Sequence, residues 1–146
     1  MANPDQWTKL AANPELIAPA TDEVIRWTTP VRHFLRYATE PMDVRGVEIP
    51  EGGRVLLSYP SANRDEDVFA DAETFDILRT DADRLVSFGG GAHFCLGAQF
   101  ARMELRTMLR RLTDQLAFIE PAGESQWMHS HFVAGVKHLP VHYPFK

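Results

Sequence analysis

The chain has 146 residues, a formal net charge of −5 and a pI near 5.6, which argues against the basic balance of a nucleic-acid binder. With 45% hydrophobic residues it can bury a core, which excludes disorder, and its length suits one domain or a piece of a larger one. A single cysteine rules out an internal disulfide and fits a reducing compartment, so a cytoplasmic protein is expected.

The opening Met1-Ala2-Asn3-Pro4-Asp5-Gln6 lacks the basic and apolar regions of a signal peptide. No apolar run approaches the ~18 residues of a membrane span, so neither a membrane nor a nucleic acid is an expected partner. Residues 4 to 11 read as a short helix, with Asn3 as cap and Pro4 in its first position. Asn13-Pro14 repeats that punctuation. Pro19 is expected to open a longer helix reaching about Thr28, because Pro30 biases Thr29 away from helical angles. Glu23 and Arg26 share a face of it. Read alone they are a solvated ion pair, worth about a few tenths of a kcal/mol.

From Pro30 the period shortens. Phe34–Ala38, Met42–Val44, Val47–Ile49 and Arg54–Ser58 read as strands, separated by turns at Glu40-Pro41, Arg45-Gly46 and Pro50-Glu51-Gly52-Gly53. Ala62 to Phe75 reads as an irregular, charged and mostly solvated meander.

Ser87-Phe88-Gly89-Gly90-Gly91-Ala92-His93-Phe94-Cys95-Leu96-Gly97 carries the most distinctive chemistry. Glycines let the backbone curl with positive φ, and such a curl turns amide groups into a concavity suited to an anion. A helix starting just beyond adds the positive end of its dipole. The setting favours a thiolate, the form of cysteine that binds metal or attacks. Gly97 leaves one side of the sulfur bare, so a flat group could lie against it. Three plainer readings compete: a small buried hydrophobe, a loop without a ligand, and a cysteine nucleophile partnered by His93. A phosphate cradle fails, because no Gly-Lys-Ser/Thr follows and Phe94 replaces the third glycine of the dinucleotide fingerprint.

Ala98 to Gln115 is the clearest helix, with Ala101, Leu105, Met108 and Leu112 expected to face the core. Arg102, Arg106 and Arg110 form a stripe on another side, a solvated basic face in the plain reading. Beyond Ile119, Trp127–Val133 and His138–Tyr143 alternate as a hairpin around Gly135. His129 and His131 would share one strand face, but neither a second cysteine nor a carboxylate pair completes a zinc site.

Phe88-x-x-Gly91-x-x-x-Cys95-x-Gly97 is similar to the haem-binding signature of the cytochrome P-450 monooxygenases, with every fixed position filled. The resemblance runs from about Asn3 to Tyr143 and covers the C-terminal part of that fold. It implies a mainly α architecture with small β-sheets (α+β). Residues 1–146 would form the haem-thiolate segment of an incomplete domain, truncated before the long distal helix that carries the proton-delivery residues. Cys95 would be the axial ligand of a haem b iron, with Phe88, Gly91 and Gly97 shaping its loop and Arg36 and His93 meeting the propionates. No other catalytic residue is expected within the chain.

The same resemblance makes Glu23-x-x-Arg26 one side of a buried triad completed by Arg79, where Ile77 replaces a proline common before that arginine. It places Val31, His33, Phe34, Phe132 and Val133 at the substrate pocket. Arg102, Arg106 and Arg110 would face an acidic, ferredoxin-type electron donor, with reduced nicotinamide acting only indirectly. Trp27–Val31 and Gly135–Pro140 look most like bacterial members acting on sterols, terpenoids or fatty acids. Two functions follow. One is a monooxygenase, complete in a longer parent or with a complementing N-terminal chain. The other is a non-catalytic remnant that binds haem weakly or only presents a surface. A cysteine hydrolase stands third.

Overall fold

The computed structural model describes residues 3–146. Met1 and Ala2, the head of the segment read against a signal peptide, lie outside the described residues. Helix α1 spans Pro4–Ala12 with proline in its first turn, but Asn3 makes no side-chain cap bond. One 3-10 turn, Pro14–Leu16, leads into α2, Ile17–Thr28. That helix starts two residues before Pro19. A proline in the first turn lacks only an N–H that would have no partner there anyway, so it need not be the opening residue. Leu10, Ile17, Ala20 and Ile77 form the core between these elements, with Leu16, Phe75 and Leu109 packed against it.

At the end of α2, Thr29 adopts φ 39° and ψ 68°, a left-handed conformation that costs a β-branched residue. The extended segment after it runs into β1, His33–Tyr37, which pairs antiparallel with β4, Arg54–Ser58. Between them β2, Met42–Val44, and β3, Val47–Ile49, close on the two residues Arg45 and Gly46. Both turn residues have positive φ (50° and 83°), as a tight hairpin that follows the strand twist requires. The four strands thus fall where the alternation put them. A single-turn helix α3, Tyr59–Ala62, follows β4 directly, and residues 63–97 are irregular but for 3-10 turns at Ala82–Arg84 and Gly91–His93.

The long helix α4, Ala98–Gln115, packs along α2. Its covered stripe keeps three of the four expected positions. Ala101, Leu105 and Leu112 are half-buried as expected, Ala98 and Thr113 are buried and Arg102 and Leu109 half-buried, whereas Met108 is 58% exposed. Arg102 also points inward, where it finds the Asp22 carboxylate. Periodicity of apolar residues alone cannot register that.

In the tail, β5 (Glu120–Pro121) pairs with β8 (Val141–His142), and β6 (Gln126–Trp127) with β7 (Val136–His138). The expected strand through Val133 stops at Trp127. Ser130 Oγ accepts the amides of Phe132 (3.2 Å) and Val133 (3.1 Å), a local turn that competes with the ladder. His129 and His131 therefore do not share a strand face. Among the described residues no cluster of three metal-ligating side chains occurs, and no helix is long and apolar enough to cross a membrane.

Candidate functional site

Two arginines meet one carboxylate beneath the cysteine loop. Glu23 and Arg26 are both fully buried. Arg26 Nε donates to Glu23 Oε2 at 2.6 Å and Nη2 to Oε1 at 2.9 Å. Its remaining N–H groups reach the carbonyls of Asn63 (2.7 Å), Ala72 (2.9 Å) and Thr74 (3.1 Å), so all five donors are used. Arg79 Nε lies 3.2 Å from Glu23 Oε2, close enough for charge attraction but not aligned as a hydrogen bond. The second cation is held instead by Asp81, whose Oδ1 accepts from Arg79 Nη1 at 2.6 Å. Burial works to raise the Asp81 carboxyl. Hydrogen bonds from Arg79 and the Ala70 amide, with the Arg79 charge, outweigh it and hold that carboxyl below its ordinary 3.8.

Above this anchor the loop folds as the glycines allow. Gly89 (φ 72°) and Gly91 (φ 60°) are both left-handed, and Gly91–His93 forms a 3-10 turn. The Cys95 amide donates to the Phe88 carbonyl at 2.9 Å, and the Cys95 carbonyl accepts from Ala98 at 3.2 Å. Cys95 thus sits immediately before α4 and is exposed, which disposes of the buried-hydrophobe reading. A Cβ on Gly97 would stand 3.9 Å from Cys95 Sγ, so the glycine keeps that side of the sulfur open. The Arg102 guanidinium lies 4.7 Å over the Phe88 ring, backing the loop with a cation.

Cys95 opens on a cavity of about 450 Å³, walled mainly by Ile25, Val31, Phe34, Phe88, Ala101 and Leu105, with Arg36 and His93 also on its lining. Strand alternation explains part of the selection: Phe34 and Arg36 fall on one face of β1, and His33 on the other. His33 stacks instead on His131 at 5.9 Å and meets Phe132 edge-on. His33, Phe132 and Val133 therefore do not line this cavity, against the expectation. The last two back it: Phe132 packs edge-on against Phe34 at 5.4 Å, and Val133 bridges Val31. Arg36 makes one local bond, to the Leu35 carbonyl, and no ion pair among the described residues.

The basic stripe on α4 is split. Arg102 Nε donates to Asp22 at 2.7 Å and turns towards α2. Arg106 and Arg110 line a shallow recess together with Arg111. Three further residues of the site were given no role from the sequence: Tyr59 and Ser87 on the cavity wall, and Asn63, which is fully buried. A polar residue leading a charged run reads as solvated. Only the crossing of α2 behind the loop buries it.

The sequence profile of the cytochrome P-450 family matches residues 10–143. The chain belongs to the cytochrome P-450 family. It is 41% identical over 141 residues to cytochrome P-450-terp from a Pseudomonas species, covering 97% of this chain and 33% of that protein. A steroid C26-monooxygenase of Mycolicibacterium smegmatis is 43% identical over 142 residues, with the same two shares covered. Among solved structures, cytochrome P-450-153 from Novosphingobium aromaticivorans superposes with a TM-score of 0.91 at 37% identity, over 97% of this chain and 36% of its own. This P-450 chain spans about a third of the length of the relatives it matches. Its helices and small antiparallel sheets are those of the C-terminal part of the P-450 fold.

Proposed function

We propose that this chain is the haem-thiolate portion of a P-450 monooxygenase, in which Cys95 would hold the iron of haem b. The observation that carries the reading is an accessible cysteine sulfur on a largely apolar cavity, with one side kept bare by a glycine. The donor set fits the group. A thiolate suits iron, apolar walls suit a porphyrin face, and Arg36 and His93 suit two carboxylates. Arg36 has no carboxylate of its own to hold it elsewhere, and its fork can grip one bidentately. Haem ligated by a thiolate supplies dioxygen activation and the insertion of one oxygen atom into a C–H bond.

The protein's own contribution is positional. Phe88, Gly91 and Gly97 hold the sulfur forward. Val31 and Phe34, with Phe132 and Val133 behind them, exclude water and orient an apolar substrate, while His33 stands outside. Sterols, terpenoids and fatty acids fit that lining, and one relative bears the name of a steroid monooxygenase. Glu23, Arg26 and Arg79 fix the floor beneath the loop without taking part in chemistry. Electrons enter from a ferredoxin-type donor, itself reduced from nicotinamide. Arg106 and Arg110 steer its acidic surface, and Arg102 is withdrawn from that face. A cytoplasmic location suits the free thiol.

More large apolar side chains are exposed than buried, Phe100, Met103 and Met108 among them. The polypeptide that would cover them, equivalent to the other two-thirds of the relatives, is the complementing partner. The same exposure favours a second reading, a non-catalytic remnant that offers an interaction surface. The two separate on adding haem, reducing it and exposing it to carbon monoxide. A thiolate-type Soret band, lost in Cys95→Ser, supports haem ligation. No spectral change overturns it and leaves the remnant.

A further inference from the structure

Asn63 has no part in the haem chemistry, yet it is fully buried and every polar group of its side chain is engaged. Its Oδ1 accepts the Val86 amide at 2.8 Å. Its Nδ2 donates to Ser87 Oγ at 2.8 Å and to Thr29 Oγ1 at 2.9 Å. The orientation of the carboxamide is fixed by its partners. The Val86 amide can only donate, and the two hydroxyls spend their protons elsewhere, Ser87 on the Ile25 carbonyl (3.0 Å) and Thr29 on that of Arg26 (2.7 Å). The Asn63 carbonyl also receives Arg26 Nη1. One residue therefore ties together the end of α2, the buried guanidinium and the start of the cysteine loop.

The tie reaches the sulfur in few steps. Val86 is gripped on both sides, its amide by Asn63 and its carbonyl by the Gly89 amide at 2.8 Å. Two residues on, the Phe88 carbonyl holds the Cys95 amide. Thr29 pays for its place with a left-handed backbone, and what it gains there is a hydroxyl aligned with Asn63. We infer that Asn63 is a positioning residue for Cys95: its buried carboxamide sets Val86 and Ser87, and through Phe88 fixes where the thiol stands. Aspartate in its place would lose both donors at unchanged size. Alanine would orphan the Val86 amide. The importance of the placement rests on the haem reading, but the placement itself does not.

The test compares Asn63→Asp and Ser87→Ala with Thr21→Val, which removes a different buried hydrogen bond of α2, 2.7 Å to the Ile17 carbonyl. Site-resolved hydrogen exchange on the haem-free 146-residue chain is the first readout. The Cys95 amide should exchange at least about tenfold faster in Asn63→Asp than in Thr21→Val, the loss expected for one buried hydrogen bond, while the Val86 amide keeps a carboxylate acceptor. Ser87→Ala should move the Cys95 amide in the same direction, and it keeps the test decisive if Asn63→Asp fails to fold. With haem bound, the fraction of the reduced carbonyl complex showing the thiolate-type Soret band should fall in both loop variants and hold in Thr21→Val. Acceleration spread evenly over the chain, with Cys95 no faster than the rest, overturns the inference. Exchange needs no haem, so a failure of haem uptake by the unsubstituted chain bears on the haem reading alone.

Discussion

Asp22 on α2 and Arg102 on α4 form an ion pair at 2.7 Å, and the same guanidinium lies 4.7 Å over the Phe88 ring. Both side chains are mostly covered, at 17% and 14% exposure, which sets this pair apart from an ordinary surface bridge. It clamps the two longest helices together and supports the cysteine loop from below. Removing either partner should cost about 1–2 kcal/mol, between the values for exposed and fully buried pairs. Urea unfolding of Asp22→Asn, Arg102→Ala and the double variant gives the coupling directly. Additive single effects would show that the contact contributes nothing specific.

The pair at Glu23 and Arg26 predicts a larger loss. With both groups fully buried, Glu23→Gln or Arg26→Met should cost about 3–5 kcal/mol, because each strands a charge away from water. Arg26→Lys should not rescue, since one ammonium cannot reach two carboxylate oxygens and three carbonyls together. Near-UV circular dichroism and denaturant midpoints decide. A lysine variant with the original midpoint would refute the account.

Acid sensitivity should pass through Asp81. Its folded carboxyl titrates below the ordinary 3.8, so the stability it contributes is fully present above that value. It is lost as pH falls through the lowered folded value, when the native state must take up a proton it resists. Stability should therefore drop below about pH 4. Asp81→Asn should be less stable at neutral pH and show a shallower acid limb. Denaturation midpoints across pH 2–6 measure both, and an unchanged acid slope would remove Asp81 from the account.

The loop glycines predict an order of sensitivity. Gly91→Ala meets open space and suffers only the left-handed φ of 60°, at about 1 kcal/mol. Gly89→Ala carries the same strain and places its Cβ 3.0 Å from the Tyr59 hydroxyl, so it should be the more damaging. Gly97→Val crowds the side of Cys95 Sγ and should lower haem uptake more than stability. Melting temperatures with haem titrations on the three variants check the ranking.

The strands of the β1–β4 region and the start of α4 were legible because short-range alternation and glycine placement decide them. The cysteine loop was legible as a set of spaced identities, with no need of periodicity. What escaped depends on long-range charge. Arg102 left its stripe for Asp22, eighty residues away, and Met108 stands exposed on the expected core face. His33 was misplaced by a single strand alternation. Asn63-Arg64-Asp65 resembles a segment of the family, but the burial of Asn63 carried no signal, since its neighbours Arg64 and Asp65 describe a wet surface and only the packing of α2 makes it dry.

Val31 and Val133 bridge, and the Arg32 and Ala134 amides bond to the Phe132 and Pro30 carbonyls at 2.9 and 2.8 Å. These partners lie about a hundred positions apart along the chain, a separation that makes their meeting slow. During synthesis the rim above the sulfur closes only after the tail has left the ribosome. Haem capture would then be a late event, and a nascent chain paused before Ala134 would expose its slot to water.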